Sequence, residues 1–335
     1  MNVDVVVVGG GIVGKTAAIE LAKSGAQVSV VDAGINSGSD ANAGSLHVQM
    51  QSRFMRLYPE QVPNIEASLS LYCDAVEEWK SLQADVGSVE LVQKGGLMLA
   101  EDDGQLAFLE KKAEREVRKG VTAEILDRSA LEKIAPWLGS DIVGAELCRH
   151  EGKVNPLVAN SRLRARADEL GVRFINDKVR ALSVSDHVEA HGDAGSYRCD
   201  RILLAAAWGV NDLVSGFGVS IPSRAEPLHM NITETCSARF DHLVQHAEKS
   251  ITLKQFGSGQ IVIGGGWPAR SRGLDRVPEV ELSSLLGNIA LAARLVPSVG
   301  QLRIIRTWAG MNTTNDGASI IGPLAGNPRV VIAVP

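Results

Sequence analysis

The sequence predicts an α/β fold: a discontinuous, Rossmann-like nucleotide-binding domain interrupted by an α+β domain built on an antiparallel sheet. Three observations predict it. Residues 3–8, VDVVVV, are apolar at all but one position, as a parallel strand covered on both faces must be. A glycine-rich turn, an amphipathic stretch and a second apolar run ending in Asp32 follow without a gap. After Pro222 the pattern changes to short strand-like runs joined by tight turns, the mark of antiparallel pairing.

Composition narrows the functional classes. A chain of 335 residues holds about two domains. Lys and Arg number 34 against 39 Asp and Glu, a net charge of −5 with no basic run, which argues against a nucleic-acid partner. Asp4 and Lys15 break the reading of the N-terminus as a secretory leader. Nothing approaches the ~18–20 apolar residues of a membrane span. Cys73, Cys148, Cys199 and Cys236 are scattered without a CxxC pair, which suits a reducing cytoplasm and no disulfide scaffold. His187, His191, His242 and His246 have no partners at metal-ligand spacing, so no metal is expected.

In the opening turn, Gly9, Gly10, Gly11, Ile12, Val13 and Gly14 spell GxGxxG. Gly9 permits the tight turn, Gly11 lets backbone approach a pyrophosphate, and Gly14 lets the helix pack closely on the strand. That helix runs to about Lys23, with Gly25 as its stop, and its N-terminus offers free N–H groups and a positive dipole end. Asp32, at the end of the second strand, is placed to accept hydrogen bonds from an adenosine ribose and would repel a 2′-phosphate. The same residues also satisfy GxxxxGK[ST] through Lys15 and Thr16, the phosphate loop of triphosphatases. The dinucleotide reading is favoured because the third glycine and the ribose acid fall in register; Lys15 is then a first-turn residue pointing to solvent or adding charge near the pyrophosphate.

Farther on, residues 34–64 read as a long loop of small residues beside the nucleotide site. Asn64 is expected to cap a helix with the stripe Ile65, Leu69, Tyr72, Val76 and Trp79; Cys73 lies on the same helix. Residues 89–100 read as strand around Gly95-Gly96, and 105–119 as a helix. Asn155-Pro156 marks another helix start, with Asn as cap and Pro at the first position. Strand-like runs follow at 172–175, 179–184, 188–191 and 202–206, then a hairpin within 250–264, a helix from about 279 to 295 and a strand at 302–308. Gly264–Gly266 read as a strand end or bulge. The nucleotide domain is expected over 1–85, 145–222 and 305–335, and the inserted domain over 86–144 and 223–304.

In order along nearly the whole chain, GGGIVG, Asp32, Asn42-Ala43-Gly44, EGKVNP (151–156), LLAAAW (203–208) and WAG…DGASIIGP (308–323) resemble the flavin-dependent amino-acid oxidases and dehydrogenases of the glycine oxidase, sarcosine oxidase and D-amino-acid dehydrogenase group. LHVQMQSRF (46–54) and ITLKQFGSGQIVIGGGWPA (251–269) resemble most the catalytic subunits of opine oxidases and hydrogen cyanide synthase. The resemblance implies FAD as cofactor, its adenine half over Gly9–Gly14 and Asp32, Val179 meeting the adenine, and Asn42, Ala43 and Gly44 running past the pyrophosphate towards the flavin ring. It implies oxidation of the C–N bond of an amino acid, opine or related secondary amine, and a larger electron-accepting subunit as a partner. An NAD-linked dehydrogenase is the alternative on the same turn.

Three departures from the family pattern qualify that reading. Where the family carries a carboxylate-binding Arg after WAG, this chain has Asn312. Arg53 is the first candidate to replace it, with Arg224, Arg270 and Arg306 behind. The usual glycine in the strand end before Trp208 is Ala206. The family also continues past VVIAVP (330–335) into a glycine- and histidine-containing turn and a helix, so the resemblance implies a truncated C-terminus with compromised or lost activity. His47 is a candidate contact for flavin or a substrate amine, Gln49 and Ser52 for the same pocket, and Trp308 for its wall.

Overall fold

A computed structural model describes residues 2–237 and 240–334. Two eight-stranded sheets carry the chain. In the first, the strand Asn2–Val8 pairs in parallel with Ser196–Leu204 on one side and Val28–Asp32 on the other. Arg173–Asn176 extends it beyond Val28–Asp32, and Asn327–Val334 beyond Ser196–Leu204, both in parallel. Val6, Val7, Val30 and Val31 are fully buried, as an apolar run covered on both faces requires. Ile320–Leu324 closes one edge, while Val179–Val184 and Val188–Gly192 form an antiparallel extension on Ser196–Leu204.

The helix Ile12–Lys23 packs against Pro156–Glu169 on one face of this sheet, with Ala18, Ile19, Ala159 and Leu163 in the seam. The second helix begins where the sequence places it. Asn155 Oδ1 accepts from the Leu157 and Val158 N–H groups at 3.2 and 3.3 Å, and Pro156 takes the first turn.

The second sheet runs Ile304–Thr314, Arg224–Thr233, Ile261–Gly264, Thr252–Gln255, Leu243–His246, Gly96–Ala100, Gly144–Cys148, Ala123–Asp127. All its pairs are antiparallel except that of Leu243–His246 with Gly96–Ala100. Strand pairing moves two segments from where the sequence expectation placed them. Gly144–Cys148 and Ile304–Thr314 belong to the antiparallel sheet, although 145–222 and 305–335 were expected in the nucleotide domain. Local pattern cannot distinguish the sheets here, because pairing partners lie far away in sequence. The helix Leu282–Leu295 covers the far face of this sheet, burying Leu291, Ala292 and Leu295 against Val244, Leu253, Ile261 and Ile263.

The stretch 34–64 is not a plain loop. It contains the helices Gly38–Ala41 and Ser52–Leu57 and the strand Ser45–Leu46, which pairs with Gly152–Lys153. Nor does Asn64 cap the next helix. That helix spans Val62–Val86 with Pro63 in its first turn, and Asn64 Nδ2 instead donates to the Asp316 carbonyl at 2.9 Å. Of the run 89–100, only Gly96–Ala100 is a strand. No helix among the described residues is long and apolar enough to cross a membrane.

Candidate functional site

A cavity of about 2060 Å³ lies between the two sheets, well above the roughly 300–1,000 Å³ of an ordinary ligand pocket. It starts at the glycine turn. Gly9 has φ +107°, and a side chain there would strike the Ala205 carbonyl. A Cβ on Gly14 would run into the Gly9 carbonyl oxygen, so helix and turn close only with glycine at 14. Gly10, a variable position of the motif, is equally constrained: its N–H donates to Asp32 Oδ2, and a Cβ there would meet that same oxygen. Asp32 Oδ1 accepts from the Gly34 N–H at 2.5 Å. The acid thus stands at the glycine bend, as the sequence reading requires.

Beside it, Gly9, Gly11, Ile12 and Val13 line the cavity, and Ser39 Oγ accepts from the Ile12 N–H at 2.9 Å. Lys15 is half-buried in the first helical turn, close enough to Asp40 and Asp32 to feel both. Its amine donates to Asn160 Oδ1 at 3.0 Å, and burial lowers its pKa. The Thr16 hydroxyl is spent on the Ile12 and Val13 carbonyls, at 2.9 and 3.0 Å. Neither side chain is presented as a triphosphatase needs.

Asn42, Ala43 and Gly44 follow along the wall. Asn42 Oδ1 accepts from the Gly44 N–H at 2.6 Å, and a Cβ on Gly44, at φ +82°, would strike the Val154 carbonyl. Val179 and Ala206 also line the cavity. Ala206 has φ −85°, which alanine takes without strain; the unusual backbone is at Ala207, φ +52°.

Farther in, His47 lines the cavity with its side chain 34% exposed, its Nδ1 3.6 Å from Glu151 Oε1. Among the described residues Arg53 makes one side-chain hydrogen bond, Nη1 donating to Ser250 Oγ at 2.6 Å. Asn312 donates to Glu226 Oε2 at 3.2 Å, both facing the cavity. Of the other cations, Arg224 lines the cavity, whereas Arg270 pairs with Glu279 and Arg306 lies 5.7 Å over the Trp308 ring.

Two expected pocket residues are placed elsewhere. Gln49 is buried in a polar network, donating to Glu151 Oε2 at 2.7 Å and accepting from Lys112 at 3.3 Å. Trp308 braces the wall from behind, donating to the Ala41 carbonyl at 2.9 Å. Ser52 borders the cavity but is buried, its hydroxyl donating to Met98 Sδ at 2.6 Å. Cys73 lies within the helix Val62–Val86, half-buried against the apolar cluster that contains Leu69 and Val76.

Sequence reasoning missed Glu151 and Glu226. Glu151, fully buried, accepts from the Val48 and Gln49 N–H groups and from the Gln49 and Gln245 side chains, so it fixes the stretch carrying His47. The signal for Glu226 was the alternation Arg224-x-Glu226 on a strand whose outward pattern was not read.

Residues 4–334 match the family described as FAD dependent oxidoreductase. The chain is 26% identical to the beta polypeptide of sarcosine oxidase from Rhizobium meliloti (strain 1021), covering 95% of this chain and 76% of the relative. It is 26% identical to a subunit of opine oxidase from Agrobacterium tumefaciens (strain Ach5), over 95% and 84%. Among solved structures, L-proline dehydrogenase from P. horikoshii superposes with a TM-score of 0.82 at 24% identity, over 99% of this chain and 87% of that one. Glycine oxidase from Geobacillus kaustophilus gives 0.80 at 19%, over 99% and 89%.

Proposed function

Because this chain belongs to the FAD dependent oxidoreductases and takes FAD as its cofactor, we propose that its central cavity oxidises the C–N bond of an amino acid or related secondary amine. The single observation that carries the reading is the Asp32 carboxylate closing on the Gly10 N–H at the head of one cavity that continues to His47 and Arg53.

The residues fit the cofactor. The glycine turn is held bare by contacts that no Cβ could share, and Asp32 stands beside it as a ribose acceptor. Gly9 to Gly14 and Asp32 would hold the adenosine diphosphate half, Val179 the adenine, and Asn42, Ala43, Gly44 and Ala206 the passage towards the ring. Bound FAD supplies the two-electron acceptor that turns the amine into an imine, which water then hydrolyses.

What the chain itself adds is positioning. Arg53, whose Nε and Nη2 bond nothing among the described residues, is suited to a substrate carboxylate; its bond to Ser250 fixes its direction. His47, whose Nδ1 is buried without a hydrogen-bond partner among the described residues, is suited to contact the substrate amine or the cofactor. Asn312 takes over the wall position through Glu226 and carries no charge to a carboxylate.

The relatives named as parts of sarcosine and opine oxidases support a further element of the reading, a partner subunit that receives the electrons. The test is direct. Protein loaded with FAD should be yellow and should bleach anaerobically when N-methyl or N-carboxyalkyl amino acids are added. Protein that holds FAD yet is bleached by none of these amines would overturn the assignment.

A further inference from the structure

We propose that the loop 270–279, an arm reaching out from the second sheet, is a latch over the adenosine end of the FAD site, with Leu274 covering the adenine. This rests on the placement of the adenosine diphosphate half at Asp32 and Val179 given above and deepens it.

The loop has a closed stem. Arg270 and Glu279 exchange both backbone hydrogen bonds, at 2.8 and 2.9 Å, as an isolated antiparallel pair, and their side chains pair at 3.8 Å. The stem follows the strand Ile261–Gly264 and leads into the helix Leu282–Leu295, both elements of the second sheet and its cover. Its tip, however, is bound by the first sheet's loops. Asn36 Nδ2 donates to the Leu274 and Arg276 carbonyls at 2.5 and 2.8 Å, and Lys178 Nζ donates to Asp275 Oδ1 at 2.5 Å.

Those two anchors flank the adenosine position. Asp32 and Asn176 oppose each other at the ends of neighbouring parallel strands, and the Asp177 N–H donates to the Asp32 carbonyl at 3.0 Å. Asn36 follows the first strand end and Lys178 the second. The tip therefore bridges the carboxyl edge of the sheet, where open α/β sheets take their ligands. Leu274 and Asp275 line the cavity together with Asp32, Asn36, Lys178 and Val179. Leu274 is 45% exposed, an apolar side chain on a tip otherwise marked by Arg272, Asp275 and Arg276. A purine face offers it the apolar contact that water does not.

The backbone is set for this grip. Asn36 has φ +49°, a left-handed conformation that asparagine takes more readily than most residues with a side chain. Yet the hold is light: one carboxamide, and one ion pair whose members are 30% and 67% exposed. Arg180, the other cation felt by Asp275, is taken up by Asp193 at 2.8 Å. A tip held this lightly opens locally while the rest of the fold stays closed, and a ligand beneath it shifts the balance towards the shut form.

The test has two readouts. One is FAD release from the holoprotein, followed as flavin fluorescence recovered after dilution. The other is tryptic cutting after Arg272 and Arg276 in the same full chain stripped of flavin.

Asn36→Gly keeps the left-handed backbone and removes both carbonyl contacts, and should speed release by roughly tenfold. Leu274→Ala should speed it by roughly threefold to tenfold. Added salt should speed release from the wild type and leave Asp275→Asn, already faster at low salt, unchanged. ADP, which carries the adenosine half alone, should suppress both tryptic cuts as fully as FAD does, while FMN should leave them. A part that serves only the fold would give no such division between the two halves. Release at the wild-type rate from both Asn36→Gly and Leu274→Ala overturns the latch, as does tryptic cutting that bound ADP leaves unchanged. A chain that binds FAD but no ADP overturns the adenosine placement and this inference with it.

Discussion

Glu151 and Gln245 lie 94 positions apart in sequence and are joined by a hydrogen bond of 2.7 Å, the glutamine amide donating to Oε2 of a fully buried carboxylate. The same carboxylate holds the backbone of Val48 and Gln49, at 2.9 and 3.2 Å. One charge thus ties the His47–Gln51 stretch to the antiparallel sheet, and its several donors offset the cost of burying it. The bare backbone at Gly96 is part of the arrangement, because a Cβ there would strike Glu151 Oε2.

Replacing Glu151 by Gln puts an N–H₂ group among donors and leaves buried N–H groups unpaired. The expected cost is about 1.5–3 kcal/mol of stability, read from urea unfolding of the holoprotein. An unchanged midpoint would show that the carboxylate is not what fixes the stretch.

Gly14→Ala sets a methyl group against the Gly9 carbonyl and 3.3 Å from Val7 Cγ1. The helix must retreat from the turn, at about 1–3 kcal/mol for overpacking. Because the glycine turn and the helix N-terminus move apart, the purified variant should lose most of its FAD, measured as the ratio of flavin to protein absorbance.

Asp32→Ala removes the acceptor of the Gly10 and Gly34 N–H groups and the proposed ribose contact. FAD affinity should fall by roughly tenfold to a hundredfold, equivalent to about 1.5–3 kcal/mol for hydrogen bonds to a charged group. Quenching of flavin fluorescence on titration gives the number; wild-type affinity would refute the role.

Lys254, on the strand Thr252–Gln255, is fully buried, and its amine has no hydrogen-bond partner among the described residues. Burial, with Lys153 adding repulsion, pushes its pKa down to about 7. Between pH about 7 and the ordinary 10.5, the unfolded chain carries a proton there that the folded chain does not, so stability rises with pH across that window. Below it both states are charged and the burial penalty is felt in full. Lys254→Met should therefore stabilise the protein by about 2 kcal/mol or more at pH 6 and flatten the slope, which is at most about 1.4 kcal/mol per pH unit. Urea unfolding of both proteins from about pH 6 to about pH 9 makes the comparison; parallel profiles would mean that Lys254 is solvated or paired.

The sequence by itself determined the nucleotide half. Strand, glycine turn, helix and acid are contiguous within the first 32 residues, so their geometry follows from local sterics: where only glycine fits, and where a strand ends. The Asn155-Pro156 helix start is legible for the same reason. The cavity's other walls were decided by tertiary structure. Gly144–Cys148 and Ile304–Thr314 join the antiparallel sheet through partners remote in the chain, and that pairing sets Asn312 against Glu226 and leaves Arg224 facing the same space. Gln49 and Arg53 lie in one short segment, yet one is buried against Glu151 and the other faces the cavity. A side chain's direction there depends on which distant donor or acceptor it meets, and no local pattern encodes that.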